Sequence, residues 1–388
     1  MTDGVTIPAD TIATAVAWRH FLHSIPELAY EERQTSAFLA EQLAGFGLSI
    51  ETGLAGTGIV ASVTKGNAGK TIGLRADMDA LPIHETADLA YRSTRPGAMH
   101  ACGHDGHMAM LLAAASLVQG IDFDGTVRFI FQPAEENEGG ARRMIEEGLF
   151  ERLPVDAVYG LHNWPQLAPG AFVAGPGPIM AAFSIFDIEI RGKGAHGAMP
   201  HEGIDPIVAG CALVSALQTV VSRNISPLDT AVLSVTQIHA GDAYNVIPEH
   251  ATIRGTGRWF SQEAGDALEA RLRKIATDIA SAHDCVATIR HERRYPATLN
   301  NAVAAESARH AAARAGLHVI EAAPSMASED FAFMLQAVPG AYAWIGSAKE
   351  GINPGLHSPQ FDFNDAVLPQ GVAYWTRLIQ SELAIADE

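Results

Sequence analysis

At 388 residues, 48% of them hydrophobic, the chain is long enough for more than one buried core. Its 26 basic and 44 acidic residues give a net charge of −18, which repels nucleic acid and anionic membranes, so neither is expected as a partner; an anionic small substrate in a locally positive pocket is not excluded. The three cysteines, Cys102, Cys211 and Cys285, are too widely spaced to imply a disulfide framework. With no signal-peptide pattern and no apolar run of ~18 residues, they point to a cytoplasmic protein.

In chain order, apolar spacing predicts helices over 11–23 and 33–46, then strands over 58–64 and 71–75. A helix is expected over 107–119, a strand over 126–132, a helix over 141–149 and a strand over 156–162. Strands alternating with helices predict an α/β sheet covered on both faces. The character changes near residue 182. A half-exposed strand over 183–192 precedes a helix over 205–222, strands over 230–239 and 249–259, a helix over 262–282 and a strand over 285–293. This β-α-β-β-α-β order suits a small ferredoxin-like domain with its helices on one face. Helices near 300–315, 329–337 and 368–384 and a strand near 341–346 then return to the first pattern. The fold class expected is α/β in two domains. A catalytic domain formed by 1–182 and 297–388 is interrupted by an α+β domain over 183–296.

Chemistry-bearing residues follow the predicted strands, where open α/β sheets gather their sites. Asp77 and Asp79 follow the 71–75 strand, Glu135 and Glu136 follow 126–132, and His162 follows 156–162. The segment MHACGHDGH, read as a loop before the 107–119 helix, carries His100, Cys102, His104, Asp105 and His107, and His357 lies in LHSPQFDF. Cys102 and His104, two residues apart, can reach one metal or two adjacent ones. Neighbouring carboxylates such as Glu135 and Glu136 are costly to hold together without a cation or proton between them, and divide naturally into a ligand and a general base. An acidic helix start is the bland alternative for this pair. Asp77 and Asp79 read either as turn residues or as carboxylates that orient a ligand histidine.

Eight ordered motifs carry a family resemblance: RADMDALPIHE (75–85), MHACGHDGH (99–107), FQPAEENEGG (131–140), GLHNWP (160–165), GKGAHGAMPHEGIDPI (192–207), NVIPE (245–249), SEDF (328–331) and LHSPQFDF (356–363). Together they resemble the M20 metallopeptidase family, nearest its aminoacylase, hippurate hydrolase and auxin-conjugate hydrolase branch. The resemblance implies two divalent ions (Zn²⁺, Mn²⁺ or Co²⁺) held by Cys102, His104, Glu136, His162 and His357, with Glu135 as base and Asp77 in support. Where the peptidase relatives carry a histidine two residues before the first aspartate, this chain has Arg75, and Cys102 with His104 take over ligation. His196 resembles a family residue that enters the active site of the opposite subunit and holds the oxyanion. Asn245 and Arg258 are candidate contacts for the substrate carbonyl or carboxylate.

The expected activity is hydrolysis of an N-acyl amino acid to a carboxylic acid and a free amino acid. The alternatives are a dipeptidase or carboxypeptidase using the same site, or a non-catalytic binding protein of the same fold. The inserted domain is expected to serve as the dimerisation or lid domain of a homodimer, with a tetramer the alternative.

Overall fold

The computed structural model describes residues 7–67, 69–136, 138–351 and 353–385. The chain divides into two compact units: Met1–Ile179 with Thr298–Ala323 and Asp330–Glu388, and Met180–Ala297 with Pro324–Glu329. The short segment Pro324–Glu329 therefore groups with the inserted unit, although the sequence reading keeps it with the outer one. Non-local hydrogen bonds explain the difference. The Ala181 N–H donates to the carbonyls of Ser325 (3.1 Å) and Ala327 (2.9 Å), and no local pattern announces such a bond.

The first unit is built on an eight-stranded sheet. Its centre is four parallel strands, Gly125–Gln132, Thr71–Asp77, Ala157–Trp164 and Gly340–Gly346, side by side in that order. Three of these, Thr71–Asp77, Ala157–Trp164 and Gly340–Gly346, are buried almost end to end, as parallel strands covered on both faces must be. The side chains of Phe129, Phe131, Tyr159, Leu161, Ala343 and Ile345 enter a core shared with helices Ala9–Ser24, Arg33–Gly45, His104–Leu117, Ala302–Arg314 and Leu368–Glu382. Alternate residues turn to the other face, where the Tyr342 ring packs on Phe331 at 5.6 Å, just before helix Ala332–Ala337. Because the four central strands run the same way, Asp77, the 133–136 segment, His162 and Gly346 emerge along one sheet edge.

A buried ionic cluster ties that edge to the rest of the unit. Arg19, fully buried on the first helix, donates to Asp105 (2.9 Å) and to Asp362. His23, one turn on, bonds Asp105 at 2.7 Å. Burial would lower the His23 pKa, but Asp105 outweighs it and pushes it up to about 9. One helix thus anchors both the start of helix His104–Leu117 and the segment that follows His357.

The second unit carries a four-stranded antiparallel sheet in the order Ala231–Ala240, His250–Trp259, Ala182–Arg191, Val286–Tyr295. Helices Pro206–Asn224 and Gln262–Ala282 supply Leu213, Leu217, Leu268 and Leu272 to its core, against Phe186, Ile188, Ile190 and Ile253. Asp205 and Ser261 cap the two helices by accepting the Ile207 and Ala264 amides. The connectivity β-α-β-β-α-β and the strand order are those of a ferredoxin-like unit. No helix among the described residues is long and apolar enough to cross a membrane.

Candidate metal centre

The sequence reading puts His104 in a loop, whereas it opens helix His104–Leu117. Gly103, at φ 95°, reverses the chain without the strain a side chain would bring, so the helix begins at once. His104 and His107 therefore lie one turn apart on the same helix face.

Hydrogen bonds orient each imidazole. His104 Nδ1 donates to the Asp79 carbonyl at 2.8 Å, leaving Nε2 buried and without a hydrogen-bond partner. His162 Nδ1 donates to the Asn163 carbonyl at 2.6 Å, so its Nε2 carries the lone pair and lies 3.4 Å from Cys102 Sγ. His107 differs. Its Nε2 lies 3.0 Å from the Asn163 backbone N and 2.6 Å from Asn163 Oδ1, and its Nδ1 lies 2.6 Å from Asp77 Oδ1. With both nitrogens engaged, His107 supports the site and leaves ligation to its neighbours. Asp77 is engaged too: its other oxygen accepts from Arg75 at 2.8 Å. That distinction matters because the sets of atoms close enough to share an ion include Cys102–His104–Glu136 and Asp77–His104–His107–His162. In the second set His104 Nε2 has no hydrogen-bond partner, and His162 Nε2 faces only the Cys102 thiol.

Two backbone amides place the carboxylates. The N–H groups of Glu135 and Glu136 donate to the two oxygens of Asp79, each at 2.9 Å. Glu136 Oε1, buried and without a hydrogen-bond partner, lies 3.9 Å from His104 Nε2 and 3.3 Å from His357 Nε2. His357 is held by its own N–H, which donates to the Ala101 carbonyl at 2.8 Å, beside Cys102. Cys102, His104, Glu136, His162 and His357 thus converge within one unit.

The electrostatics favour positive charge at this spot. Burial opposes a charged His104, but Asp77 foremost, then Asp79 and Glu136, push its pKa up to about 10. Asp77 is held well below the usual carboxylate range: burial is outweighed by His104, His107 and Arg75. His162 stays neutral because burial, and then the neighbouring His107, keep it well below the usual imidazole range. A thiol, imidazole nitrogens and a buried carboxylate, with His104 Nε2 and Glu136 Oε1 orphaned and facing one another, are a donor set for divalent, borderline-soft ions.

The remaining candidates lie on the second unit. His196 is exposed in a short ladder in which it pairs with Val246, and the Gly197 N–H donates to the Asn245 carbonyl at 2.7 Å. His196 Nδ1 accepts the Ala198 N–H (3.1 Å), so the neutral ring presents Nε2–H as a donor. Arg258 is half-buried, with its guanidinium 4.2 Å from the centre of the Phe183 ring and bonded to Ser328 Oγ at 3.1 Å. It lies eight residues along strand His250–Trp259 from His250, roughly 26 Å at ordinary strand rise. The Asn245 loop enters the opposite end of that strand, so Arg258 and Asn245 of one chain do not meet around one small ligand.

Sequence reasoning missed the supporting roles of His107 and Asn163. The spacing of His104 and His107 was visible, but only the helix start at His104 places both on one face. Arg75 stood out as a departure from the peptidase pattern, and the structure gives it work as the buried partner of Asp77 and Asp330.

A mixed sheet whose edge gathers these donors defines a metal-dependent hydrolase site. Residues 73–381 match the model of peptidase family M20/M25/M40, and the chain belongs to that family. It is 41% identical to N-acetyl-L-cysteine deacetylase of Bacillus subtilis, over 90% of this chain and 83% of the relative. It is 40% identical to hippurate hydrolase of Campylobacter jejuni, over 93% and 94% of the two chains. Among solved structures, a dinuclear metal-binding M20 peptidase of Bacillus subtilis superposes with a TM-score of 0.85 at 34% identity, covering 97% of this chain and 99% of the other.

Proposed function

We propose that the protein is an N-acyl amino acid amidohydrolase converting R–CO–NH–CHR′–COO⁻ and water to R–COO⁻ and a free amino acid. The observation that carries this reading is the orphaned pair His104 Nε2 and Glu136 Oε1, buried 3.9 Å apart beside Cys102, His162 and His357, with Glu135 next in sequence. Two divalent ions on those five residues would polarise the scissile carbonyl and acidify a water. Glu135 accepts the proton of the attacking water and passes it to the leaving nitrogen. His196 offers its Nε2–H to the developing oxyanion. Asn245 or Arg258 would contact the substrate carbonyl or carboxylate. The names of the two relatives, an N-acetyl-cysteine deacetylase and a hippurate hydrolase, support the substrate class. The thiolate leans towards Zn²⁺ over Mn²⁺ or Co²⁺.

A panel of N-acetyl, N-benzoyl, N-lauroyl and dipeptide substrates, assayed for free amino acid with and without added metal, tests the reading. Metal-dependent release from at least one N-acyl substrate, above release from dipeptides, is expected. Dipeptides cleaved best would replace it with a peptidase. Cys102→Ala is expected to lose metal on dialysis and to lose activity with it. Full metal content in that variant would return Cys102 to a packing role, in which alanine costs only stability.

The proposed partner is a second copy, pairing through residues 183–296. Strand Ala231–Ala240 forms one edge of its sheet, and Val232 and Ile238 on it are exposed. A groove of about 590 Å³ runs beside it, lined by Cys211, Val214, Leu233 and Val235 among others. An exposed edge with apolar side chains favours association with a like edge.

A further inference from the structure

Glu32 is fully buried just before helix Arg33–Gly45, where a carboxylate ordinarily serves as a cap. Its side chain makes no cap bond to that helix. Glu27 fills that role by accepting the Gln34 and Thr35 amides at 3.2 and 2.9 Å. The Glu32 carboxylate reaches elsewhere: Oε1 accepts the Ala134 N–H at 2.9 Å and the Tyr30 N–H at 3.1 Å, and Oε2 accepts the Thr57 hydroxyl at 2.7 Å. Ala134 sits at φ 55°, the left-handed region that an alanine rarely adopts, and its carbonyl accepts the Gly140 N–H at 2.9 Å. Three successive amides, those of Ala134, Glu135 and Glu136, thus end on two buried carboxylates, Glu32 and Asp79.

We propose that Glu32 is a positioning residue for Glu135: by gripping the Ala134 amide it holds the preceding residue in the left-handed conformation that aims the base. The proposal rests on the reading of Glu135 as the base. Asp79 alone fixes where Glu135 and Glu136 begin. Without Glu32 the alanine has reason to relax to an ordinary φ, and that rotation swings the next side chain. A general base works only within hydrogen-bond reach of its proton, and a misplacement of about 1 Å can cost ~10²-fold. A buried carboxylate is an expensive way to fill space, and burial with the nearby Asp79 charge pushes the Glu32 pKa up to about 7. Retaining a carboxyl group there fits a demand for its acceptor oxygens.

The test compares kcat, KM and metal content for Glu32→Ala, Glu32→Gln and Glu32→Ala with Ala134→Gly, using an N-acyl amino acid cleaved by the wild type. Glu32→Ala is expected to lower kcat by ~10–100-fold at full metal content, with KM within about threefold. Glu32→Gln keeps the acceptor for Ala134 and offers its amide N–H to Thr57 Oγ, so it should recover most of the loss. Glycine at 134 adopts the left-handed conformation without strain, and should regain about fivefold to tenfold in the Glu32→Ala background. A merely structural role predicts no such rescue. Unchanged kcat in folded Glu32→Ala, or a double variant no faster than the single, overturns the proposal. If Glu32→Ala fails to fold, Thr57→Val decides: it removes one anchor of the carboxylate and should lower kcat severalfold, whereas unchanged kcat overturns the claim. Glu135→Gln keeps the two readings apart. An active Glu135→Gln enzyme sinks the base assignment itself; an inactive one beside a fully active Glu32→Ala enzyme sinks only the role of Glu32.

Discussion

Glu135→Gln is expected to lower kcat by about 10⁴-fold while leaving metal content intact. The amide preserves the shape of the side chain and leaves the Glu135 N–H bonded to Asp79. Glu135 stands outside the Cys102–His104–Glu136 set whose atoms approach one another, so ions bound there should be retained. General acid–base groups are typically worth ~10²–10⁴-fold. In the proposed mechanism one carboxylate handles both proton transfers, from water and to the leaving nitrogen, which sets the expectation at the upper end, and about 10⁴-fold corresponds to ~5.5 kcal/mol of barrier. Single-turnover rates in metal-replete protein, with metal measured on the same sample, check it. A rate near that of the wild type would move the base to another residue.

The ease with which the site could be read from sequence follows from how parallel sheets work. Their carboxyl ends share one edge, so ligand-type residues after several predicted strands are brought together by topology alone. Asp77, Glu136 and His162 were found that way. What escaped reading depended on contacts between distant segments. Glu32 looks like an acidic residue before a helix; its true partner, Ala134, lies about a hundred residues on. Arg19 sits on a helix with ordinary apolar spacing, and nothing local says that its charge is buried against Asp105 and Asp362. Strands Ala171–Val173 and His318–Val319 are too short to carry any periodicity. Ser49–Leu54 lacks apolar alternation and pairs only because a tight turn folds it onto Gly58–Lys65. The helix start moved from 107 to His104 for a related reason: a glycine in the left-handed conformation did what no capping residue announced.

His196→Ala is expected to lower kcat by ~10²–10³-fold, the usual cost of removing one oxyanion donor, with metal binding unchanged. The effect belongs in kcat because the interaction strengthens as charge develops on the carbonyl oxygen. The ring is suited to that work: Nδ1 already accepts the Ala198 N–H, which leaves Nε2–H as the donor of the neutral imidazole. It lies on the second unit, and the ligand set on the first, so the proposed role can be served by the ring of the same chain or by that of a partner copy. Mixing subunits distinguishes these routes. When a His196→Ala subunit meets a Glu135→Gln subunit, delivery from the partner gives each mixed dimer one site with both lesions and one with neither. Random exchange of equal amounts should then restore about a quarter of wild-type activity, from two preparations nearly inactive alone. Delivery within one chain leaves every site with one lesion, and the mixture stays inactive. Silence after proven subunit exchange would assign His196 to closure within its own chain.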